Sequence, residues 1–343
     1  MHFFLLGNGA QKLMSVAKGV KRNDGCGGGD CATRDLKLPC KRDGSAGNSC
    51  NMIAVSSSES SPPTQPAKSL RKRLARCGHM LQVGWACGGS WKDRLRLFYY
   101  ADLKPSLVFR GWNRYAQQRM LTFSIRARDN TRFRVYVRDN GVEAALLADF
   151  FSLEAGMMPQ NLPPLRPKVI YDLGANIGMA SLGFATLYPE AQLYGFEPLP
   201  SNFEVCRLNY QNLPNARLFP WALGARTELT SFEFNEDPQG GHLGTVQGNP
   251  ALHAQGHIDV QVYSIADLVR VQKLPPPEFL KIDVEGAEVE VLRGIGEVAQ
   301  SIKRVFVETH GESLKAECFK WLREHGFQVS PSSNPAALWG DRV

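Results

Sequence analysis

Long apolar runs, paired cysteines and a dinucleotide fingerprint are all missing from this sequence of 343 residues. No stretch reaches the ~18 to 20 consecutive apolar residues that a membrane-spanning helix needs, and the opening Phe3-Phe4-Leu5-Leu6 is too short for a secretory signal. None of the eight cysteines forms a C-x-x-C pair. We therefore expect a cytoplasmic protein with reduced thiols. Its hydrophobic share of 43% is that of an ordinary globular chain with a sizeable core.

Charge is distributed unevenly along the chain. Lys and Arg outnumber Asp and Glu by 8 to 5 in residues 1–67 and by 19 to 7 in residues 68–168, whereas the acids lead by 21 to 13 in residues 169–343. A basic protein suggests a nucleic-acid partner when the basic charge lies on the functional domain. Here the segment with the clearest strand and helix pattern is the acidic one. The charge distribution therefore argues against nucleic acid as the partner.

The patterns divide the chain into three parts. Residues 1–67 carry glycine and serine runs without a helix or strand period, which predicts a disordered leader. The alternative is that translation starts later, at Met52 or Met80, and that the residues before that methionine are not part of the protein. Residues 68–150 predict an extension of short helices and a β-hairpin. Residues 151–343 predict the main domain.

Two alternating strands are predicted ahead of the main domain. Apolar and polar residues alternate over 123–127 and again over 133–137, and Asp129-Asn130 between them is typical of a hairpin turn. The outer face of this hairpin collects five arginines, namely Arg126, Arg128, Arg132, Arg134 and Arg138. Such a face could bind an anionic substrate, although a solvated sheet face is the simpler interpretation.

From residue 169 onward, short apolar runs alternate with helix-length segments, which predicts an α/β fold with a doubly wound, mostly parallel sheet. The predicted strands are Val169–Leu173, Gln192–Phe196, Ala216–Pro220, Val260–Tyr263, Phe279–Ile282 and Arg304–Glu308. The predicted helices are Met179–Tyr188, Ser201–Gln211, Ile265–Val271, Ala287–Arg293 and Ser313–His325. Residues 235–257 show no period and are expected to form a lid or substrate loop, with His242, His253 and His257 as candidate substrate contacts.

The first two strands of this domain each end in an acid. Asp172 is followed by the glycine-rich turn Gly174-Ala-Asn-Ile-Gly178, where backbone can approach a ligand, although tight turns also use glycine for structural reasons alone. Glu197 ends the second strand 25 residues later, the offset at which an acid accepts both hydroxyls of a ribose. Two acids at adjacent strand ends predict a nucleoside site.

The identity of the nucleoside follows from the turn. A dinucleotide fold would show G-x-G-x-x-G, whereas here the order is D-x-G-x-x-x-G, and Asp172 would repel a pyrophosphate. An acid suits a cationic methionine end better. The turn and Glu197 thus resemble the S-adenosylmethionine site of class I methyltransferases. Trp221-Ala222-Leu223, just after the third strand, is where the adenine is expected.

Three further motifs narrow the resemblance. They are Glu197-Pro198, the run Lys281-Ile-Asp283-Val-Glu285-Gly286-Ala-Glu288, and Val307-Glu308-Thr-His310. Over roughly residues 120–330 the chain resembles the FkbM family of methyltransferases, whose hallmark is K-x-D-x-E-G-x-E. This resemblance implies a Rossmann-like seven-stranded sheet, S-adenosylmethionine as cofactor, and O-methylation of a sugar hydroxyl in a glycan or natural product. The cofactor-binding residues expected from it and from the turn are Asp172, Gly174, Ala175, Asn176, Gly178, Glu197, Pro198, Trp221, Ala222 and Leu223.

The catalytic candidates are Asp283, His310 and Glu285. Asp283 ends a central strand, at the edge where ligands bind in open α/β sheets. Glu285 and Glu288 share a face at the start of the next helix and could equally complement its dipole. His310 could be a base, a substrate donor or a structural histidine. Asp283 or His310 is expected to be the general base; a divalent cation held by Asp283, Glu285 and Glu288 is the weaker alternative, and no metal ligand is assigned.

Three other classes of function stay open from the sequence. An RNA methyltransferase is encouraged by the basic segment, but Asp283-Val-Glu-Gly stands where base N-methylation uses an N-P-P-Y clamp, and Cys206 and Cys318 fall in predicted helices. A cofactor-binding module without catalysis is the second rival, and an NAD oxidoreductase is a distant third. The intact acids favour an enzyme over the second.

Overall fold

The computed structural model describes residues 85, 88–100, 119–126, 130–139, 143–144, 146–147, 164–234, 256–332 and 334–342. The predicted leader, Arg128, His242 and His253 lie outside these residues, as does the side chain of His257. The elements run in chain order as α1 (Trp91–Phe98), β1 (Met120–Arg126), β2 (Arg132–Arg138), β3 (Val169–Leu173), α2 (Met179–Leu187), β4 (Gln192–Phe196), α3 (Pro200–Tyr210), β5 (Ala216–Phe219), β6 (Ala222–Leu223), β7 (Glu228–Phe234), β8 (Gly256–Tyr263), α4 (Ile265–Arg270), β9 (Phe279–Ile282), α5 (Glu288–Arg293), a 3-10 helix (Gly296–Ser301), β10 (Arg304–Glu308), α6 (Glu312–Glu324), β11 (Gln328–Pro331) and β12 (Ala337–Asp341).

Seven strands form one mostly parallel sheet in the order β11-β12-β10-β9-β3-β4-β5. Only β12 runs against its neighbours, β10 and β11. Strand order reverses between β3, which continues to β4 and β5, and β9, which continues to β10. At such a switch point, a ligand crevice opens outside the carboxyl ends of the strands. The predicted doubly wound α/β sheet is confirmed.

Alternate residues of the central strands enter two separate cores, one on each face of the sheet. Ile170 and Phe279 pack into the first core, whereas Tyr171 and Leu280, their chain neighbours, pack into the second. All four are completely buried. Burying a large apolar side chain stabilises the fold by ~1.5 to 3 kcal/mol, so strands buried on both faces hold the crevice edge in place.

The predicted β-hairpin is present and covers one face of the sheet. β1 and β2 pair antiparallel, and their inward residues, such as Phe123 and Val135, share the first core with Ile170 and Phe279. The hairpin is therefore packed on the main sheet. Arg138 on its outer face is not free, because it pairs with Glu143 and donates to Asn202.

The remaining predicted strands and helices agree with the structure within one residue at each end, with one correction, while four strands and the 3-10 helix were not predicted. Val260–Tyr263 does not belong to the main sheet. It is the end of β8, which pairs antiparallel with β7 and parallel with β6 in a separate three-stranded sheet. The strands β6, β7, β11 and β12 were not predicted. Ser264 caps α4 as its position suggests, accepting a hydrogen bond from the Asp267 amide. No described helix has the length and apolar character needed to cross a bilayer.

Candidate functional site

Three turns meet at the switch point, one after each of β3, β4 and β9. The amides of Gly174 and Ala175 both donate to the Phe196 carbonyl at 3.0 Å, which fixes the first turn against β4. Gly174 has φ +73°, and a Cβ there would lie 1.9 Å from the Asp283 carbonyl oxygen. Glycine is needed at this position for both reasons, since the backbone is left-handed and the turn after β9 occupies the space of a side chain.

Glu197 holds the glycine-rich turn from the β4 side. Its Oε2 accepts the Asn176 amide at 2.8 Å and its Oε1 accepts the Leu199 amide at 3.0 Å. Each carboxylate oxygen has a second lone pair, which leaves acceptor capacity for a ligand hydroxyl. Burial raises the pKa of Glu197 to about 7, against the lowering effect of the two amides. The residue is therefore poised between its neutral and charged forms at neutral pH.

Asp172 is buried and contacts both Ser181 and Lys281. Its Oδ2 accepts the Ser181 hydroxyl at 2.6 Å, and Ser181 in turn contacts the Tyr210 hydroxyl at 2.6 Å. Its Oδ1 lies 3.1 Å from the Lys281 ammonium. The expected contact of Asp172 with the cofactor stays a prediction. What the geometry provides is an internal anchor for the end of β3.

Lys281 joins the first and third motifs. Besides pairing with Asp172, its Nζ donates to the Gly174 carbonyl at 2.8 Å and lies 3.4 Å from Asp283 Oδ2. Burial lowers its pKa, but the charges of Asp172 and Asp283 outweigh burial and hold that pKa above its usual range. Lys281 was quoted as the first residue of the K-x-D-x-E-G-x-E run, but no role was predicted for it. The signal was available, because a lysine inside the apolar strand Phe279–Ile282 needs a buried acid as partner.

The expected adenine residues differ in accessibility. Ala222 and Leu223 are buried in β6, whereas Trp221 is half-buried. The Trp221 ring stacks on Phe219, with centroids 4.5 Å apart and planes at 21°, and lies 4.7 Å from Tyr263. Of the three, only Trp221 is aromatic, and its ring already stacks on Phe219, so its contact with the adenine stays a prediction.

The remaining expected cofactor residues shape the turns. Asn176 is exposed and has φ +51°, and Gly178 has φ +88° as it begins α2. A Cβ at Gly178 would lie 3.1 Å from the Cys206 sulfur, so helix α3 packs closely there. Ala175 and Pro198 are buried. The sequence prediction thus located these turns correctly, and their contacts with a ligand stay predictions.

The third motif surrounds His310 with carboxylates. His310 Nδ1 lies 2.8 Å from Oε1 of Glu288, which is fully buried at the start of α5. His310 Nε2 lies 3.1 Å from Glu285 Oε2 and 3.9 Å from Asp283 Oδ1. The Glu288 oxygen also accepts the Gly286 amide at 2.8 Å, which fixes the carboxylate behind the ring. Such a pairing orients the imidazole so that Nε2 faces the other two acids.

These acids shift the titration of the histidine. Burial lowers the pKa of His310, but the hydrogen bond to Glu288 and the charges of Glu285 and Asp283 outweigh it and raise the pKa to about 9. The pKa of nearby Glu308 is also raised, by burial and by the charge of Asp283. The imidazole is therefore mostly protonated at neutral pH.

The same group has the composition of a cation site. Asp283, Glu285 and His310 each offer one ligand atom, and these atoms lie within 4.8 Å of one another. Glu288, which the sequence analysis placed among the alternative metal ligands, instead lies behind the histidine ring. Exposed acids commonly cluster without a cation. The same three side chains are therefore equally suited to a site in which one of them accepts a proton.

Comparison with known proteins places the chain in a family. Residues 172–329 match the methyltransferase FkbM domain model. Methyltransferase 1 of Beauveria bassiana is 31% identical over 182 residues, which cover 47% of this chain and 72% of that relative. The chain belongs to the FkbM family of methyltransferases, so it is a methyltransferase of the class whose cofactor is S-adenosylmethionine.

Two relatives, one archaeal and one bacterial, have names that specify a substrate or a reaction. Hexuronic acid methyltransferase AglP of Haloferax volcanii is 30% identical over 156 residues, covering 46% of this chain and 62% of that protein. The 2-O-methyltransferase NoeI of Sinorhizobium fredii is 28% identical over 157 residues, covering 43% of this chain and 65% of that protein. The chain thus spans slightly less than two thirds of either relative.

Proposed function

We propose that this protein transfers a methyl group from S-adenosylmethionine to a hydroxyl group of a sugar or glycan acceptor, with His310 as general base. The observation that carries the proposal is the pairing of His310 with buried Glu288 at the carboxyl edge of β9 and β10, beside the crevice. A sugar hydroxyl is a poor nucleophile until a base takes its proton. Only the neutral imidazole can take that proton, at Nε2, and the pKa of about 9 makes this form the minority at neutral pH.

The cofactor half of the crevice fits a nucleoside with a ribose. Glu197 keeps spare acceptor lone pairs for ribose hydroxyls, and the half-buried Trp221 ring would lie beside the adenine. In the turn from Gly174 to Gly178, both glycines and Asn176 are left-handed, and the glycines have no side chain to separate the backbone from a ligand. When bound, the cofactor supplies an electrophilic methyl group on a positively charged sulfur.

The chain's own residues then handle the acceptor and the proton. Asp283 and Glu285, each about one third exposed, are placed to accept hydrogen bonds from neighbouring sugar hydroxyls. His310 Nε2 takes the proton of the reacting hydroxyl, and the Glu288 carboxylate stabilises the imidazolium through Nδ1. Positioned general bases contribute ~10²- to 10⁴-fold to turnover, with alignment supplying the rest.

The sugar class rests on the relatives and on the acids of the acceptor half. The names of AglP and NoeI refer to a hexuronic acid and to 2-O-methylation. Carboxylates that accept several hydroxyl hydrogen bonds suit a polyol better than an aromatic phenol. We propose further that the enzyme is cytoplasmic and that its partner is a small molecule or a glycan.

The test is an acceptor assay with an isotopically labelled methyl donor. Hexuronic-acid and hexose oligosaccharides, RNA and buffer are incubated separately with the protein, and S-adenosylhomocysteine release is measured alongside the label. The proposal predicts release together with an O-methyl signal on the sugar. Label in RNA would instead show that the protein is an RNA methyltransferase. Cofactor binding without product from any acceptor would instead favour the module without catalysis.

A further inference from the structure

The β-hairpin contacts two asparagines of α3, Asn209 and Asn202, and each of these in turn contacts a turn of the cofactor half. The hairpin itself lies before the residues that match the family model. We infer that Asn209 is a positioning residue that couples this hairpin to the glycine-rich turn and so sets cofactor affinity. The inference rests on the proposed cofactor site and adds a residue that neither the sequence motifs nor the turn itself indicates.

Asn209 is completely buried in the last turn of α3 and uses its carboxamide in two directions. Its Nδ2 donates to the Ile177 carbonyl at 2.7 Å and to the Tyr136 carbonyl at 2.9 Å. Its Oδ1 accepts the Tyr136 amide at 2.8 Å. Both donors of the side chain are thereby used, one on the turn and one on the hairpin.

The hairpin side of this contact is the open edge of β2. Tyr136 presents its amide and carbonyl to Asn209, and the Arg134 carbonyl accepts Nδ2 of Asn212 at 2.9 Å. The Arg138 amide donates to Glu143. Strand edges leave backbone groups without partners, and here side chains satisfy them. Asn209 therefore substitutes for a neighbouring strand at the middle of that edge.

The turn side of the contact is the segment that Glu197 also holds. Glu197 binds the Asn176 amide, and Asn209 binds the carbonyl of the next residue, Ile177. Asn176 is left-handed at φ +51°, a conformation that costs free energy for most residues and persists where its surroundings hold it. Holding the turn from both sides keeps it ready for the ligand, and preorganisation of this kind increases affinity.

A second hairpin contact reaches the turn after β4. Arg138 donates to Oδ1 of Asn202 at 2.7 Å, and the Asn202 amide donates to the Leu199 carbonyl at 3.0 Å. Leu199 in turn donates to Glu197. The hairpin thus supports both the turn that follows β3 and the acid that follows β4.

The experiment compares Asn209→Ala with Asn212→Ala. Asn212 also binds the hairpin, through the Arg134 carbonyl, and its other side-chain hydrogen bond goes to the main-chain carbonyl of Asn209 at 3.2 Å, which Asn209→Ala keeps. Asn212→Ala therefore controls for general loosening of the hairpin. The dissociation constant of S-adenosylhomocysteine is measured by calorimetry at a temperature where circular dichroism shows each variant folded. We expect Asn209→Ala to weaken binding about tenfold and Asn212→Ala to change it less than twofold. Equal affinity in Asn209→Ala and the wild type, or equal losses in both variants, overturns the inference.

Hydrogen exchange on the wild-type protein provides a readout that needs no variant. Binding at the turn should slow exchange of the Tyr136 amide, because coupling between two sites is reciprocal. Slower exchange in the turn with no change at Tyr136 contradicts the coupling, even if Asn209→Ala does not fold. Absence of any binding heat for the wild type is a different result, since it counts against the proposed cofactor site itself.

Discussion

The two halves of the crevice are built from different groups. In the cofactor half, Glu197 and Asn209 hold the turn through backbone amides and carbonyls, with glycine where chains touch. In the acceptor half, Asp283, Glu285, Glu288 and His310 interact through charged side chains. The first arrangement fixes the conformation of the glycine-rich turn, and the second determines the protonation of His310. Variants in the cofactor half should therefore change affinity, and variants in the acceptor half should change turnover and its pH dependence.

The largest effect is expected for His310→Ala. Loss of the general base should lower kcat by ~10²- to 10⁴-fold, while the dissociation constant of the cofactor stays within twofold of the wild type. His325→Ala is the matched control, since His325 is exposed at the end of α6. Steady-state kinetics with calorimetry measures both quantities. Undiminished turnover in His310→Ala would place the base elsewhere, with Asp283→Asn as the next variant.

The second effect is expected in the cofactor half. Glu197→Ala removes the acceptor of the Asn176 and Leu199 amides and of the ribose, and should weaken cofactor binding by ~1 to 3 kcal/mol. Turnover at saturating cofactor should change little by comparison. Glu190→Ala, at an exposed site, is the control. Unchanged affinity in calorimetry would remove the ribose assignment.

Cofactor affinity should also depend on pH through Glu197. Its pKa is raised to about 7, so below that pH the carboxylate gains a proton and loses acceptor capacity. Affinity for S-adenosylhomocysteine should therefore fall as the pH drops through about 7. In Glu197→Gln this decline should disappear. The same decline in the variant would assign it to the ligand or to another group.

The smallest effect is expected from metal removal. Because His310 is the proposed proton acceptor, incubation with a chelator followed by desalting should leave turnover unchanged. A loss that Mg²⁺ or Mn²⁺ restores would mean that Asp283, Glu285 and His310 hold a cation that lowers the pKa of the hydroxyl. That result would also mean that the acceptor half activates the hydroxyl by Lewis-acid chemistry and not by a general base.

The sequence predicted the central strands well because they are buried on both faces. β3, β4, β9 and β10 match the predicted ends to the residue, since each is a short apolar run that stops at an acid, a proline or a turn. β12 was missed because its buried core, Leu338-Trp339, is short and follows a proline. The strand β8 was placed in the wrong sheet, because apolar character alone does not identify a strand's neighbours.

The site was predictable only where function leaves a local pattern. Asp283 and His310 follow strands, so their proximity follows from sheet geometry. The roles of Lys281 and Asn209 were missed because they depend on contacts with residues 107 and 73 positions away. Nor does sequence alone give the direction of the His310 shift, since it results from burial opposed by three surrounding acids.

The pH dependence of kcat/KM for the wild type and Glu288→Gln tests the central claim most directly. Because the base must be neutral and the pKa of His310 is raised to about 9, wild-type activity should rise with pH through about 9 and level off above it. Replacing Glu288 removes the hydrogen bond that contributes most to raising this pKa, so the inflection should move to lower pH. An inflection at the same pH in both proteins, or no rise toward alkaline pH in the wild type, would contradict the assignment of His310 as the base.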